Sequence, residues 1–339
     1  MSSRLRHIDL ARGLIIALMA LDHARLFIAR DHPSEFWGVP LPIYGDHTVA
    51  FLTRLVTHLC APGFCFLMGM SMALLAARSD WSRVRLARHF AARGALLLVL
   101  QHLIENPAWL LGTLSAQIPT EAYGVTARPG ASSQLLLHFG VLSMLGGVMI
   151  GWGPLLRARS AWIAALSAAA LLVPAFIMPD PSTHPTVYGL GWNLLYIPGR
   201  STYSQVLYPL LPWAGVCGLG ILCGRAPSRA WQWPAVAAVV AAGLWAAVRF
   251  GGGIGNLHLP AEPGWIGLLN ATKYPPSWAF LAMSLGVFWV LLAVLARARL
   301  QVSDDHPLIV FGQTALGFYV VHLYVYAAIS YAFPQGASF

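Results

Sequence analysis

Nine apolar runs of about twenty residues follow one another along a chain of 339 residues, and they decide what it can become. A helix of that length rises about 30 Å, the thickness of the hydrocarbon core. In lipid every backbone N–H and C=O must be satisfied internally, which leaves closed barrels and helices. Barrel strands are about half as long and alternate in polarity, whereas these runs are apolar throughout. They fall near 10–29, 51–77, 92–111, 133–156, 161–178, 204–224, 231–250, 276–296 and 307–332. The expected fold is therefore all-α, a polytopic transmembrane helix bundle of about nine spans, in one domain covering 1–339. Composition agrees: charged residues are 10% and apolar ones 58%, against about 25% charged in soluble domains.

The net charge of +9 would point to nucleic acid in a soluble protein. Here it follows the bias of Lys and Arg toward cytoplasmic loops, and no nucleic-acid partner is expected. With the N-terminus inside, the cytoplasmic stretches hold Arg4, Arg6 and Arg12, then Arg78, Arg83, Arg85, Arg88 and Arg93. Further along they hold Arg157, Arg159, Arg225, Arg229, Arg297 and Arg299. The outer loops carry Asp31, Glu35, Asp46, Glu121, Asp180 and Glu262. A short or re-entrant helix fits within 112–132 or 251–275. The first run also resembles a signal peptide, but it continues into Asp22-His23-Ala24-Arg25 rather than ending at small residues, so it reads as an uncleaved helix. Cys60, Cys65, Cys217 and Cys223 form no C-x-x-C pair and read as small buried hydrophobes. No internal repeat of the kind that marks many transporters is evident.

Ionisable side chains at membrane depth are functional hypotheses by default. Arg12 and His23 are eleven residues apart on the first helix. Eleven steps of 100° make three turns and about 20°, so they share a face, roughly 16 Å apart along the axis. A cation at the cytoplasmic mouth in line with a deep imidazole suits a long phosphorylated donor, its phosphates outside and its reactive end within. His58 on the second helix reaches the same depth as His23. His102 and Glu105, three residues apart, lie in the outer half, as do His138 on the fourth helix and His322 on the ninth. His138 and His322 read as interhelical hydrogen-bonders, and His102 and Glu105 as a structural pair or site residues. Asp22 is 100° round the helix from His23 and must pair elsewhere, with Arg25 or another helix. No metal site is expected, since three or four ligands must converge and no His-x-x-His or Glu-x-x-His occurs. Haem ligation across helices is disfavoured because His89, spaced thirteen from His102, sits in an arginine-rich stretch. There is no P-loop.

Arg6-His7-Ile8-Asp9-Leu10-Ala11-Arg12-Gly13 and Met19-Ala20-Leu21-Asp22-His23 carry a resemblance. So do Leu52-Thr53-Arg54, Thr57-His58-Leu59-Cys60-Ala61-Pro62 and Phe66-Leu67-Met68-Gly69. Tyr208-Pro209-Leu210-Leu211-Pro212-Trp213, Lys273-Tyr274-Pro275-Pro276-Ser277 and Phe318-Tyr319-Val320-Val321-His322 follow in order. Together they resemble the bacterial membrane proteins grouped with the catalytic domain of heparan-α-glucosaminide N-acetyltransferase. The resemblance implies a multi-pass protein of the bacterial inner membrane. It implies transfer of an acyl group, acetyl first, from cytoplasmic acyl-CoA to a periplasmic acceptor, with a glycan among the candidates. In the wider superfamily an Arg and a His spaced as Arg12 and His23 recur, the His being catalytic. The lysosomal relative instead uses a luminal-loop His, with Asn where His23 stands and an acid near His58. His47 lies near that loop position and is the second candidate.

On this reading His23 is the general base, with His58 orienting it or donating to the oxyanion and Asp22 beside it. An acyl-imidazole on His47 or His23 is the covalent alternative. Arg12, with Arg93 and Asp9, holds the donor's phosphate end, where guanidinium forks pair bidentately. Trp37, Tyr188, Trp192, Tyr196 and Trp265 in outer loops could stack on sugars, although such residues enrich at membrane interfaces generally. A homodimer is compatible with the pattern. Rival classes are a transporter of a small anion or proton-coupled substrate, and a quinone- or haem-binding membrane protein.

Overall fold

Helix forms inside every one of the nine apolar runs, and where it starts late or bends a proline, a glycine or a buried polar group stands at the break. The computed structural model describes residues 5–30, 35–114, 137–179, 188–200, 204–226, 231–298, 300 and 302–333. Arg4, Asp31, Glu121, Asp180, Arg229 and Arg299, used above for orientation, lie outside the described residues, as does most of 112–132.

Helix α1 (Arg6–Ala24) runs into a wide π turn at Arg25–Ala29 and stops at Arg30, whose φ is 63°. Next come α2 (Thr48–Thr57) and α3 (Cys60–Arg78), then α4 (Arg83–Leu100), a π turn at Gln101–Glu105 and α5 (Asn106–Leu114). Pro107 lies just beyond that second π turn. It has no N–H to donate and crowds the carbonyl four residues back, and a widened turn is a common way for a helix to absorb this.

The runs expected at 133–156 and 204–224 are only partly helical. Their first residues form strands β1 (Leu137–Phe139) and β3 (Ser204–Val206), with β2 (Gly199–Arg200) between them in sequence. The order is β1-β3-β2; β1 pairs parallel with β3, Leu137 opposite Ser204, and β2 pairs antiparallel with β3. Helices α6 (Val141–Trp152, continued by a 3-10 turn to Leu155) and α9 (Leu210–Gly224) begin only after extended Gly140 and Pro209. Apolar content alone does not separate a buried strand from a buried helix. His138 is therefore on a strand, not on a helix.

The remaining helices are α7 (Ser160–Ile177), α8 (Leu190–Leu195), α10 (Gln232–Gly251) and α11 (Gly264–Leu269). The chain closes with α12 (Trp278–Ala298), α13 (Pro307–Gln313) and α14 (Ala315–Ser330). The short α11 occupies the 251–275 stretch. Among the described residues five helical segments are long and apolar enough to cross a membrane, or six if α13 and α14, bent by 97°, count as one. Helix α1 is not among them, since it carries Arg6, Asp9, Arg12 and Asp22.

The core lies where α3 packs on α9 and on α1, around Phe66, Trp213, Phe280 and Phe288. Helices in lipid gain little from hydrophobicity against each other, so they approach through small residues. A Cβ on Gly69 would sit 2.0 Å from the Cys217 carbonyl oxygen, and one on Gly220 2.0 Å from that of Phe66. The four cysteines are buried and free, and Cys65 donates to the Trp213 carbonyl at 3.1 Å. Helices α7 and α10 keep Phe176 and Val239 exposed at 64% and 75%, which is the face a bilayer covers.

Candidate functional site

Helix α1 is the spine of the site. Its first turns cross α13 closely: a Cβ on Gly13 would lie 1.8 Å from the Leu308 carbonyl oxygen, and one on Gly312 2.0 Å from that of Asp9. This contact brings the Gly312 carbonyl within 3.2 Å of Arg12 Nη1, which also meets Asp9 Oδ1 at 3.3 Å. Arg12 Nη2 donates to Ser71 Oγ on α3 at 3.0 Å. The guanidinium is thus held by three elements while remaining about a quarter exposed (24%).

A cavity of about 390 Å³ opens beside it, within the usual range for small-molecule sites. It follows one face of α1 through Arg12, Ile16 and Met19 and one face of α4 through His89 and Arg93. Apolar residues from α3 and α6, such as Met68 and Leu145, complete the wall, and Tyr319 of α14 also lines it. Four residues past Met19 on the same face stands His23, its ring 5.9 Å from that of Tyr319. The arrangement is a cationic entrance, an apolar sleeve and an imidazole beyond it.

His23 is half-buried in an aromatic setting. Trp109 of α5 presents an edge at 5.4 Å, and His322 of α14 lies nearly parallel, its ring centroid 5.0 Å away. His23 Nδ1 and His322 Nε2 are 2.7 Å apart, and His322 Nδ1 is 2.8 Å from the Phe318 carbonyl oxygen. Tyr326 and Phe318 close around His322. Trp109 Nε1 donates to Glu105 Oε1 at 3.0 Å, and Glu105 also faces the Tyr319 hydroxyl. Tyr324 fastens α14 to the second π turn by donating to the Ile104 carbonyl at 2.9 Å.

One residue back along α1 a second cluster begins. Asp22 accepts from Arg54 Nη1 at 2.9 Å and from Thr57 Oγ1 at 2.7 Å. Arg54 also forks onto Glu35, with Nε to Oε1 at 2.8 Å and Nη2 to Oε2 at 2.6 Å. His58 Nε2 lies 3.4 Å from Glu35 Oε1. All five side chains are buried. The Glu35 carbonyl accepts from the backbone N–H groups of Lys273 and Tyr274, at 2.9 and 3.0 Å, and Tyr208 and Tyr274 meet through their hydroxyls at 3.2 Å. Burial alone would raise the Glu35 pKa, but the Arg54 charge, His58 and their hydrogen bonds hold it well below the usual carboxylate value. The cluster clamps the segment after α1 onto α2 with ionic pairs that water does not reach.

The expected residues therefore divide into groups. Arg12, Asp9 and Arg93 gather at the cavity entrance or against it, and His23 lies beyond its far wall. Asp22 pairs with another helix, through Arg54. His58 joins Glu35 and packs edge-on against Phe280 instead of joining the His23–His322 pair. His47 is exposed at the start of α2, roughly 16 Å from His58 by helical rise. His102 and Glu105 do not bond each other: His102 Nδ1 accepts from Asn106, and Glu105 accepts from Trp109. Asn106 also bonds the His138 carbonyl. Among the described residues no three His, Cys, Asp or Glu side chains converge as metal ligands.

Sequence reasoning underrates His322, Tyr319 and Trp109. His322 is the interhelical hydrogen-bonder its position suggests, but its partner is His23 itself. The signal is present in Phe318-Tyr319-Val320-Val321-His322, since 319 and 322 are a turn apart and share a face. Glu35 and Arg54 look like a loop acid and a motif residue, because nothing local in the chain reveals that they meet.

A family model described as heparan-alpha-glucosaminide N-acetyltransferase, catalytic, matches residues 4–259. No curated protein matches the chain.

Proposed function

The chain belongs to the heparan-alpha-glucosaminide N-acetyltransferase catalytic family, membrane-embedded acyltransferases, and from that premise we propose how it carries out the transfer. The donor is acyl-CoA, acetyl first, entering from the cytoplasmic side of a bacterial inner membrane. The acceptor is a hydroxyl or amine on the opposite side, with a sugar as the leading class. The observation that carries this reading is the cavity along α1. Its entrance has two guanidinium groups, Arg12 and Arg93, and its wall is apolar up to Tyr319, next to His23. A pantetheine arm is long, thin and mostly apolar behind a polyanionic head, and it matches that gradient. Asp9 and the Gly312 carbonyl orient Arg12, whose side chain stays about a quarter exposed, toward the phosphates.

His23 then acts as the base. Its ring takes the proton from the acceptor as the acceptor oxygen or nitrogen attacks the thioester carbonyl. The carbon–sulfur bond breaks, the imidazolium returns the proton to the leaving thiolate, and acylated acceptor and free CoA are the products. Direct transfer is favoured over an acyl-imidazole on His47, which stands exposed at the head of α2. His58 and Asp22 serve the site indirectly, holding the segment beside His23 through Arg54 and Glu35.

Binding of CoA to the purified protein, followed by calorimetry, tests the donor assignment. Arg12→Ala and Arg93→Ala should each weaken it about tenfold or more, as expected when a charge-assisted contact worth about 1.5–3 kcal/mol is lost. Unchanged affinity in both variants would remove the cavity from the mechanism.

A further inference from the structure

Two distances fix more about His23 than its position. His322 Nδ1 lies 2.8 Å from the Phe318 carbonyl oxygen. A carbonyl can only accept, so that nitrogen carries the hydrogen. In a neutral ring the other nitrogen, Nε2, then holds the lone pair. His322 Nε2 is 2.7 Å from His23 Nδ1, and two lone pairs do not approach that closely. His23 Nδ1 must therefore be the donor, which leaves the acceptor lone pair on His23 Nε2.

We propose that His322 is a positioning residue that sets the tautomer of His23, so that Nε2 is the proton-accepting nitrogen of the active base. The inference rests on the reading of His23 as that base. The direction of the chain is set by a backbone carbonyl four residues before His322 on the same helix, which the helix itself holds in place. Which ring nitrogen of a histidine is protonated is decided by the hydrogen bond made at the other, and here the deciding partner is a second imidazole. Phe318 and Tyr326 against His322, and Trp109 and Tyr319 against His23, restrict ring flips that would scramble the order. When His23 takes a proton, its Nδ1–H bond to His322 becomes charge-assisted and strengthens. His322 so favours the protonated intermediate as well as the starting tautomer.

Nitrogen-15 histidine spectra of the full chain in lipid, at about pH 8 and above the ordinary imidazole value, read the tautomers directly. The His23 signals are assigned by their loss in His23→Asn. The expected result is the Nδ1–H form at both His23 and His322. Loss of the acceptor in His322→Leu should move His23 toward the Nε2–H form. In His322→Gln the amide oxygen can accept in place of Nε2, and the Nδ1–H form of His23 should persist. Turnover should follow: kcat down roughly 10–100-fold in the Leu variant, the range seen when a metal-ligating histidine loses its orienting partner and taken here by analogy. The KM for acyl-CoA should stay within about twofold by the same logic, since a lost transition-state contact lowers kcat alone, with most of kcat restored in the Gln variant. An Nε2–H form at wild-type His23, an imidazolium at His322, or an unchanged His23 tautomer in His322→Leu would each overturn the inference. Failure of the reading beneath it looks different: His23→Ala would retain full turnover while the wild-type tautomers stayed as expected.

Discussion

At the scale of single residues, the site places two imidazoles where their chemistry can be separated. His23→Ala should leave CoA affinity near wild type, because Arg12 and the cavity wall are untouched. It should lower turnover by about 10²–10⁴-fold, the usual worth of a general base; a variant with full activity would exclude the role. His47 answers the covalent question. Labelled acyl-CoA without acceptor should leave no label on the protein, and His47→Ala should stay active. Label that disappears with His47→Ala would instead establish the acyl-imidazole route. Glu35 makes a prediction in stability. Its folded-state pKa lies below its unfolded one because Arg54 and His58 face it, with Asp22 on the far side of the guanidinium. Its contribution is therefore complete above the unfolded value, about 4.3, and is lost as pH falls toward the folded one. Thermal midpoints of the wild type should drop on acidification through that window. Glu35→Gln should lower stability at neutral pH by about 3–5 kcal/mol, the cost of stranding half of a buried ion pair. The variant should also show less of the acid-side slope, and an equal slope in both proteins would assign the acid sensitivity elsewhere.

At the scale of helices, the site depends on how closely α1 can approach α13. Gly13 faces the Leu308 backbone and Gly312 that of Asp9, and the Gly312 carbonyl is one of the anchors of Arg12. Gly312→Ala must push α13 outward, since its new Cβ meets a backbone oxygen rather than a side chain that can yield. Overpacking of this kind costs about 1–3 kcal/mol. A lowered thermal midpoint together with weaker CoA binding is expected; weaker stability with unaltered binding would show that α13 does not position Arg12. Helix α1 and the shared face of Arg12 and His23 are legible from periodicity alone, because both are properties of one helix. The glycine contact with α13, three hundred residues away, is not, and neither is the Glu35–Arg54 fork, which joins a loop to a helix. Hydropathy misplaces His138 because the apolar stretch before Gly140 carries no sign of whether it coils or extends. The bend of 97° between α13 and α14 escapes for the same reason: the hydropathy of 307–332 is continuous across it. That bend turns α13 onto α1 at Arg12 while α14 runs back to set His322 against His23, so one unreadable break serves both ends of the site.

At the scale of the whole molecule, the proposed donor path together with the position of charge predicts which side each substrate uses. Arg12, Arg93 and His89 line the cavity, and Arg83, Arg85 and Arg88 lie on the first turns of the same α4 that carries His89 and Arg93. Lys and Arg accumulate on the cytoplasmic side of membrane proteins, so on the proposed reading this is the end that takes CoA. From Arg12 to His23 the chain advances roughly 16 Å, about half of a 30 Å hydrocarbon core. The remaining distance leads toward the Asp22–Arg54–Glu35 cluster and the loops that follow α1. Carrying the acyl carbon along that path leaves the phosphates of CoA behind, where moving them through hydrocarbon would cost several kcal/mol per charge. Activity in sealed vesicles should then require acyl-CoA on the face that carries the α4 arginines and should deliver acylated product to the other. Inside-out vesicles should transfer to an acceptor trapped in the lumen, and right-side-out vesicles given external acyl-CoA should not. Making Arg83, Arg85 and Arg88 neutral together should leave the cavity intact while weakening the orientation signal, giving a mixed population active from both faces. Equal rates from both faces in the wild type, with leakage excluded, would contradict the sidedness and the donor path along α1 at once.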